Sequence, residues 1–218
     1  MLELIHVSKI FQTSEIETHA LQDINLKINK GQFVSIMGPS GCGKSTLLNV
    51  MGLLDEPSSG IINIDNTNFN NLNDSKKATF RNQKLGFIFQ NFHLIPTLNV
   101  LDNVELPLLY RKKKFRNKQA EILLEKVGLE HRMKHFPNQL SGGQCQRVAI
   151  ARALIGEPEI IFADEPTGNL DSATSQEIMQ ILLNLNSEGT TIIMVTHDAK
   201  LATQTGRIIK LLDGKIIQ

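Results

Sequence analysis

The stretch Gly38-Pro39-Ser40-Gly41-Cys42-Gly43-Lys44-Ser45 constrains this chain more tightly than any other. It fills every fixed position of the pattern G-x-x-x-x-G-K-S, and its flanks are the ones that pattern requires. Before it runs the short apolar segment Phe33-Val34-Ser35-Ile36-Met37; after it, Leu47, Val50, Met51 and Leu54 recur on one face at helical spacing. A strand, a glycine loop and a helix therefore follow directly on one another. The glycines let the backbone curl until its N–H groups point inward at phosphate oxygens, with the positive end of a helix behind them. Gly38, Ser40, Gly41, Cys42, Gly43, Lys44, Ser45 and Thr46 are read as a nucleotide-binding loop. Lys44 is placed to reach the β- and γ-phosphates, and the Ser45 hydroxyl to hold Mg²⁺.

Two further strings carry chemistry. Ile160-Ile161-Phe162-Ala163-Asp164-Glu165 is an apolar strand ending in two carboxylates. Asp164 at its tip is suited to Mg²⁺, usually through water, and Glu165 to orienting or deprotonating an attacking water. Acidic pairs after strands are often plain loop residues, so this reading draws its weight from the phosphate loop upstream. In Leu140-Ser141-Gly142-Gly143-Gln144 two glycines follow a serine at the start of a helix, a second anion-binding terminus. By itself it could equally be a helix cap.

That last string is similar to the signature sequence of ABC-type ATPases. The resemblance implies that Ser141, Gly142, Gly143 and Gln144 cap ATP held by a second copy, so that two subunits sandwich two nucleotides. The family's other motifs appear in order along nearly the whole chain. Gln90, after the apolar segment Leu85 to Phe89, resembles the glutamine that touches Mg²⁺ and signals to a membrane partner. Gly168-Asn169-Leu170-Asp171 resembles the loop through which the two subunits meet. His197 resembles the histidine that bonds the γ-phosphate. Phe11, just after the first strand, takes the place of an adenine-stacking aromatic, which in the family is more often tyrosine. Asn103 to Leu108, Pro137 to Gln139 and Ala163 to Asp171 resemble the bacterial group that includes lipoprotein-release, macrolide-efflux and cell-division ATPases. Cys145 departs from that group, which often has glutamine there.

The resemblance implies an α/β phosphate-loop core with an antiparallel β subdomain and an inserted helical subdomain. Residues 1–90 and 154–218 are assigned to the core and 91–153 to the helical part, within one domain over 1–218. It implies an ATPase with ATP and Mg²⁺ as cofactors, a homodimer, and an integral membrane permease-type subunit, at the cytoplasmic face of a bacterial membrane. The catalytic set is Glu165, His197, Lys44 and Gln90; the metal set is Ser45, Gln90 and Asp164. Rival readings are an ATPase module that signals through a membrane protein without moving a substrate, and a soluble non-transport relative. Relatives of the second kind usually carry tandem domains, coiled-coil inserts or basic extensions.

Composition agrees. The chain has 218 residues, 41% of them hydrophobic, enough for a core of this size. Its 23 Lys and Arg against 22 Asp and Glu leave a net charge of +1, with no basic excess for a nucleic-acid partner. Two cysteines, Cys42 and Cys145, make no disulfide framework and fit a reducing compartment. No signal peptide is read at the start, and no apolar run approaches the roughly 20 residues of a membrane helix. The run Arg111-Lys112-Lys113-Lys114-Phe115-Arg116 reads as a solvated face, or alternatively as a contact with anionic lipid. Cys42, at a helix N-terminus beside Lys44, is expected to present a reactive thiol to the nucleotide. Helices are expected over Val100–Arg111 and Asn117–Val127, from near Gly143 and from Ser172. A closing hairpin is expected at Asp213-Gly214, and loop over Asn63–Asn73.

Overall fold

Alternation of apolar and polar residues, broken by irregular pairing between Leu4 and Ile10, builds the first two strands. In β1 (Leu2–Gln12) Leu2, Leu4 and Val7 turn inward, and in β2 (Glu17–Ile28) Ile24, Leu26 and Ile28 do so. The computed structural model describes residues 1–12, 16–111 and 116–217. The further elements are β3 (Phe33–Met37), α1 (Lys44–Met51), β4 (Ser59–Ile64), β5 (Thr67–Asn68), α2 (Asp74–Lys84), β6 (Leu85–Phe89), α3 (Val100–Glu105), α4 (Arg116–Lys126), α5 (Gly142–Leu154), β7 (Ile160–Asp164), α6 (Ser172–Ser187), β8 (Thr191–Val195), α7 (Ala199–Ala202), β9 (Arg207–Leu212) and β10 (Lys215–Ile216).

Among the described residues these strands form two sheets. One is antiparallel, in the order β2-β1-β4-β5; the other runs β10-β9-β3-β8-β7-β6, parallel except for the β9–β10 hairpin. β3, β7 and β8 are near-continuous apolar runs because both faces of their sheet are covered. On one face α1 buries Leu47, Leu48, Val50 and Met51 in an apolar cluster shared with the antiparallel sheet. Each such side chain contributes about 1.5–3 kcal/mol before ordering entropy is charged against it. On the other face Val100, Val104, Leu124, Val148 and Ile150 of α3 to α5 share one cluster with Ile161, Ala163, Ile192 and Met194 of the sheet.

Three local expectations are corrected. The helix over Val100–Arg111 stops at Glu105 and continues as a 3₁₀ turn over Leu106–Arg111, because Pro107 has no N–H for the α-helical ladder. The stretch Asn63–Asn73 is not all loop. Asp65 and Asn66 both take left-handed backbone (φ 47° and 62°) and close a tight turn between β4 and β5. Phe11 lies within β1 rather than after it. The hairpin at Asp213-Gly214 forms where expected.

Candidate functional site

Sheet register gathers the site. Phe89 of β6 is level with Asp164 of β7, and Asp164 with Val195 of β8; Val195 in turn is level with Ile36 of β3. The next residues along these parallel strands are therefore Gln90, Glu165, Thr196 with His197, and the phosphate loop, all at one carboxyl edge. Ligand sites of open parallel sheets lie at that edge.

The loop's shape follows from its glycines at one point above all. Gly43 caps α1 at φ 100°, and a Cβ there would come within 2.4 Å of the Ala20 carbonyl. Any other residue is excluded twice, by backbone strain and by space. The loop is braced by the terminal hairpin: Gly214 N–H donates to the Cys42 carbonyl at 3.1 Å, and Gln22 N–H to the Gly214 carbonyl at 2.8 Å. Lys44 is only 7% exposed, and its Nζ donates to the carbonyls of Gly38 and Pro39 at 3.0 and 2.8 Å, inside the curl of the loop.

Phe11, Thr18, His19, Ala20, Gln22, Ser40 to Thr46, Glu165, Asp213 and Gly214 line an open cleft of about 540 Å³. Small-molecule sites commonly span about 300–1,000 Å³. The cleft runs from the Phe11 ring, 44% exposed, to the N-terminus of α1. An aromatic face, backbone donors and one buried lysine are what a nucleoside triphosphate would meet.

Ser45 Oγ donates to Asp164 Oδ1 at 3.1 Å, joining a hydroxyl and a carboxylate oxygen beside the loop. Such hard oxygen donors fit Mg²⁺. Burial pushes the Asp164 carboxyl up; the Ser45 hydrogen bond and Lys44 oppose this, while Glu165 adds to it. Glu165 holds left-handed backbone (φ 44°), with its N–H donating to the Val195 carbonyl at 3.0 Å. Such a conformation costs a non-glycine residue about 1–3 kcal/mol, and it turns the carboxylate toward His197 Nδ1, 3.1 Å away.

Gln90 is locked to the loop at 168–171. Its Nε2 donates to Asn169 Oδ1 at 3.2 Å, while Asn169 Nδ2 donates to the Gln90 carbonyl at 3.2 Å and to Asn91 Oδ1 at 3.0 Å. Beyond it, Arg152 of α5 donates to the carbonyls of Phe92 and His93. Neither Asn169 nor Arg152 was picked out from the sequence for these contacts, which join residues far apart in the chain.

Ser141, Gly142, Gly143 and Gln144 lie elsewhere and do not line the cleft. Ser141 caps α5: its hydroxyl accepts from Gln144 N–H at 3.3 Å, and Gln144 Oε1 accepts from Ser141 N–H at 3.0 Å. Gly143 has no room for a side chain, since a Cβ would fall 2.4 Å from Thr174 Cγ2. Thr174 is in turn fixed by Asp171, whose carboxylate accepts from its N–H at 3.0 Å and its hydroxyl at 2.6 Å.

Two expectations fail here. Cys42 contributes to the cleft wall, but its side chain is 5% exposed and belongs to the apolar cluster, with Sγ against Gly38. Its thiol is therefore buried rather than presented to solvent. Arg111 is not part of a solvated face either: it turns inward to Asn82 and donates to the Gly156 carbonyl at 2.9 Å. Lys112 to Phe115 lie outside the described residues. A second cavity, about 1,100 Å³, opens away from the phosphate loop between α2, β6, the 3₁₀ turn and α5, and Phe89, His93 and Arg152 are among its lining.

The family profile described as ABC transporter matches residues 21–168. An uncharacterized ABC transporter ATP-binding protein of Methanocaldococcus jannaschii is 54% identical over 100% of this chain and 98% of its own length. A solved ATP-binding cassette of the same organism, titled as a dimeric post-hydrolysis state bound to ADP and Pi, superposes with a TM-score of 0.93. It is 48% identical, and the match covers 100% of this chain and 97% of that one. A macrolide export ATP-binding/permease protein of Bdellovibrio bacteriovorus is 49% identical over 99% of this chain, which spans 33% of that longer protein. The chain belongs to the ABC transporter family, as an ATP-binding member of it.

Proposed function

We propose that this chain binds ATP in the cleft between Phe11 and the phosphate loop and hydrolyses it as one half of a two-copy assembly. The observation that carries this is the row at the sheet edge, where register alone brings the phosphate loop, Asp164, Glu165, His197 and Gln90 together. Phe11 stacks on the adenine. The N–H groups from Ser40 to Thr46 and the Lys44 ammonium meet the phosphates. Ser45, Asp164 and Gln90 would hold Mg²⁺, which would neutralise phosphate charge. Glu165 takes a proton from the attacking water, and His197 contacts the γ-phosphate.

The signature residues do not line their own chain's cleft, and Ser141 to Gln144 serve the nucleotide of a second copy. Support comes from the dimeric relative. The relatives named as ATP-binding/permease proteins favour a membrane partner, and the 1,100 Å³ groove beside Gln90 is the place it docks. Among the described residues no helix is long and apolar enough to cross a membrane. The chain then works at the membrane's inner face through that partner. With Arg111 turned inward, anionic lipid is left to Lys112 to Arg116.

Phosphate release from MgATP, compared between wild type and Lys44→Ala, tests the reading. Losing the ammonium should lower turnover at least about 10²-fold and weaken ATP binding. Equal turnover in the two proteins would overturn it.

A further inference from the structure

Phe11 does not stand alone. Lys9, two residues earlier on β1, places its Nζ 4.9 Å from the centre of the Phe11 ring. The same ammonium donates to Asp55 Oδ1 at 2.7 Å and to the Glu56 carbonyl at 2.8 Å. Its side chain is only 13% exposed, which is unusual for a lysine and shows the group held rather than waving in solvent. Phe11 lines the nucleotide cleft and Lys9 does not. The cation therefore occupies one side of the ring and leaves another for a ligand.

The anchor has a connection to the phosphates. Asp55 and Glu56 lie in the segment that follows α1, and α1 begins at Lys44. The helix whose first turn faces the phosphates thus runs on into the segment that fixes Lys9, and Lys9 fixes the ring at the opposite end of the cleft. Irregular pairing of β1 with β2 on either side of Lys9, between Val7 and Lys9 and between Lys9 and Ile10, aims the side chain there.

We propose that Lys9 is a positioning residue for the nucleotide base: clamped by Asp55 and Glu56, it holds the Phe11 ring flat against the cleft and draws π density toward its own face. Two physical effects follow. An ordered aromatic loses less freedom when a base stacks on it. A ring with a cation on one face is electron-poor on the other, which favours the electron-rich adenine. The inference rests on the reading of Phe11 as the adenine platform, and the test separates the two.

ATP and inorganic tripolyphosphate, which has the phosphates and no base, are titrated calorimetrically into the full chain in EDTA. Wild type, Lys9→Met, Lys9→Arg, Asp55→Asn, Phe11→Ala and the Lys9→Met/Phe11→Ala double variant are compared. Methionine keeps the stem's packing and removes the charge. Lys9→Met should weaken ATP about 2- to 10-fold and leave tripolyphosphate unchanged. Lys9→Arg should restore ATP affinity, since a guanidinium also packs on a ring and reaches a carboxylate. Asp55→Asn, which leaves the ring untouched, should weaken ATP in the same direction. On the Phe11→Ala background Lys9→Met should add nothing, because its effect passes through the ring. Equal loss of ATP and tripolyphosphate, or an undiminished Lys9 effect without the ring, would overturn the proposal. If Phe11→Ala weakens ATP and Lys9→Met does not, the role of Lys9 falls and stacking stands; if Phe11→Ala binds ATP normally, stacking falls and the proposal with it.

Discussion

Glu165 Oε2 and His197 Nδ1 meet at 3.1 Å across a separation of 32 residues, at the ends of two adjacent parallel strands. Glu165 is the more buried partner, with 22% of its side chain exposed against 67% for His197. The carboxylate is thus the more enclosed group, while most of the imidazole is open to solvent, where in the proposed reading a γ-phosphate would come.

His197→Ala removes that outward contact and leaves the carboxylate in place. Turnover should fall about 10²-fold or more, as when one donor to a developing negative charge is lost, while ATP affinity changes little. Phosphate-release kinetics beside equilibrium binding would check this. A large loss of affinity with unchanged turnover would place His197 in binding alone.

Cys42 gives the opposite of what its position in the loop suggests. With its sulfur packed in the apolar cluster beside Gly38, maleimide should label Cys42 slowly in the folded protein, at the same rate with and without MgATP, and fast after denaturation. Mass spectrometry in a Cys145→Ser background would locate the adduct. Rapid labelling that MgATP suppresses would show the thiol facing the nucleotide.

The phosphate loop, the carboxylate strand and the closing hairpin were legible because each is a local pattern: glycine spacing, an apolar run with an acidic tip, an Asp-Gly turn. The helix α2 was not. Asp74 to Lys84 buries no residue fully and shows no apolar stripe, and only the Asn73 cap, accepting from Lys76 N–H at 2.9 Å, marks its start. The contacts of Lys9 with Phe11, Gly214 with Cys42 and Asn169 with Gln90 are also absent from any sequence window. They exist only once β1 has met the segment after α1, and the terminal hairpin has met the loop. The orientation of Cys42 was misjudged for a related reason: loop membership says where the backbone goes, not which side of it is packed.

Acid should weaken the junction of β6 and β7. The Glu159 carboxyl is held below its ordinary range first by its hydrogen bond from Lys84; burial opposes this, and the charges of Lys84 and Lys30 add to the lowering. A depressed folded-state value means the stabilisation is fully present above the unfolded carboxylate range and is lost as pH falls through the lower, folded value. For so exposed a pair it amounts to about 0–1 kcal/mol. Glu159→Gln should therefore lower urea stability slightly near neutrality, and the gap from wild type should close in acid. A gap that widens in acid would contradict the assignment.

The central claim, that two copies of this chain close around ATP that Glu165 helps to hydrolyse, is tested most directly by gel filtration of Glu165→Gln with saturating ATP. The amide keeps the shape of the carboxylate and cannot take the proton, so turnover should drop about 10²- to 10⁴-fold with ATP binding intact. ATP that is bound and not cleaved should hold the pair together, and the protein should elute at twice the mass found without nucleotide. A variant that hydrolyses ATP at the wild-type rate, or one that binds ATP without cleaving it and still elutes as a monomer, would contradict the account.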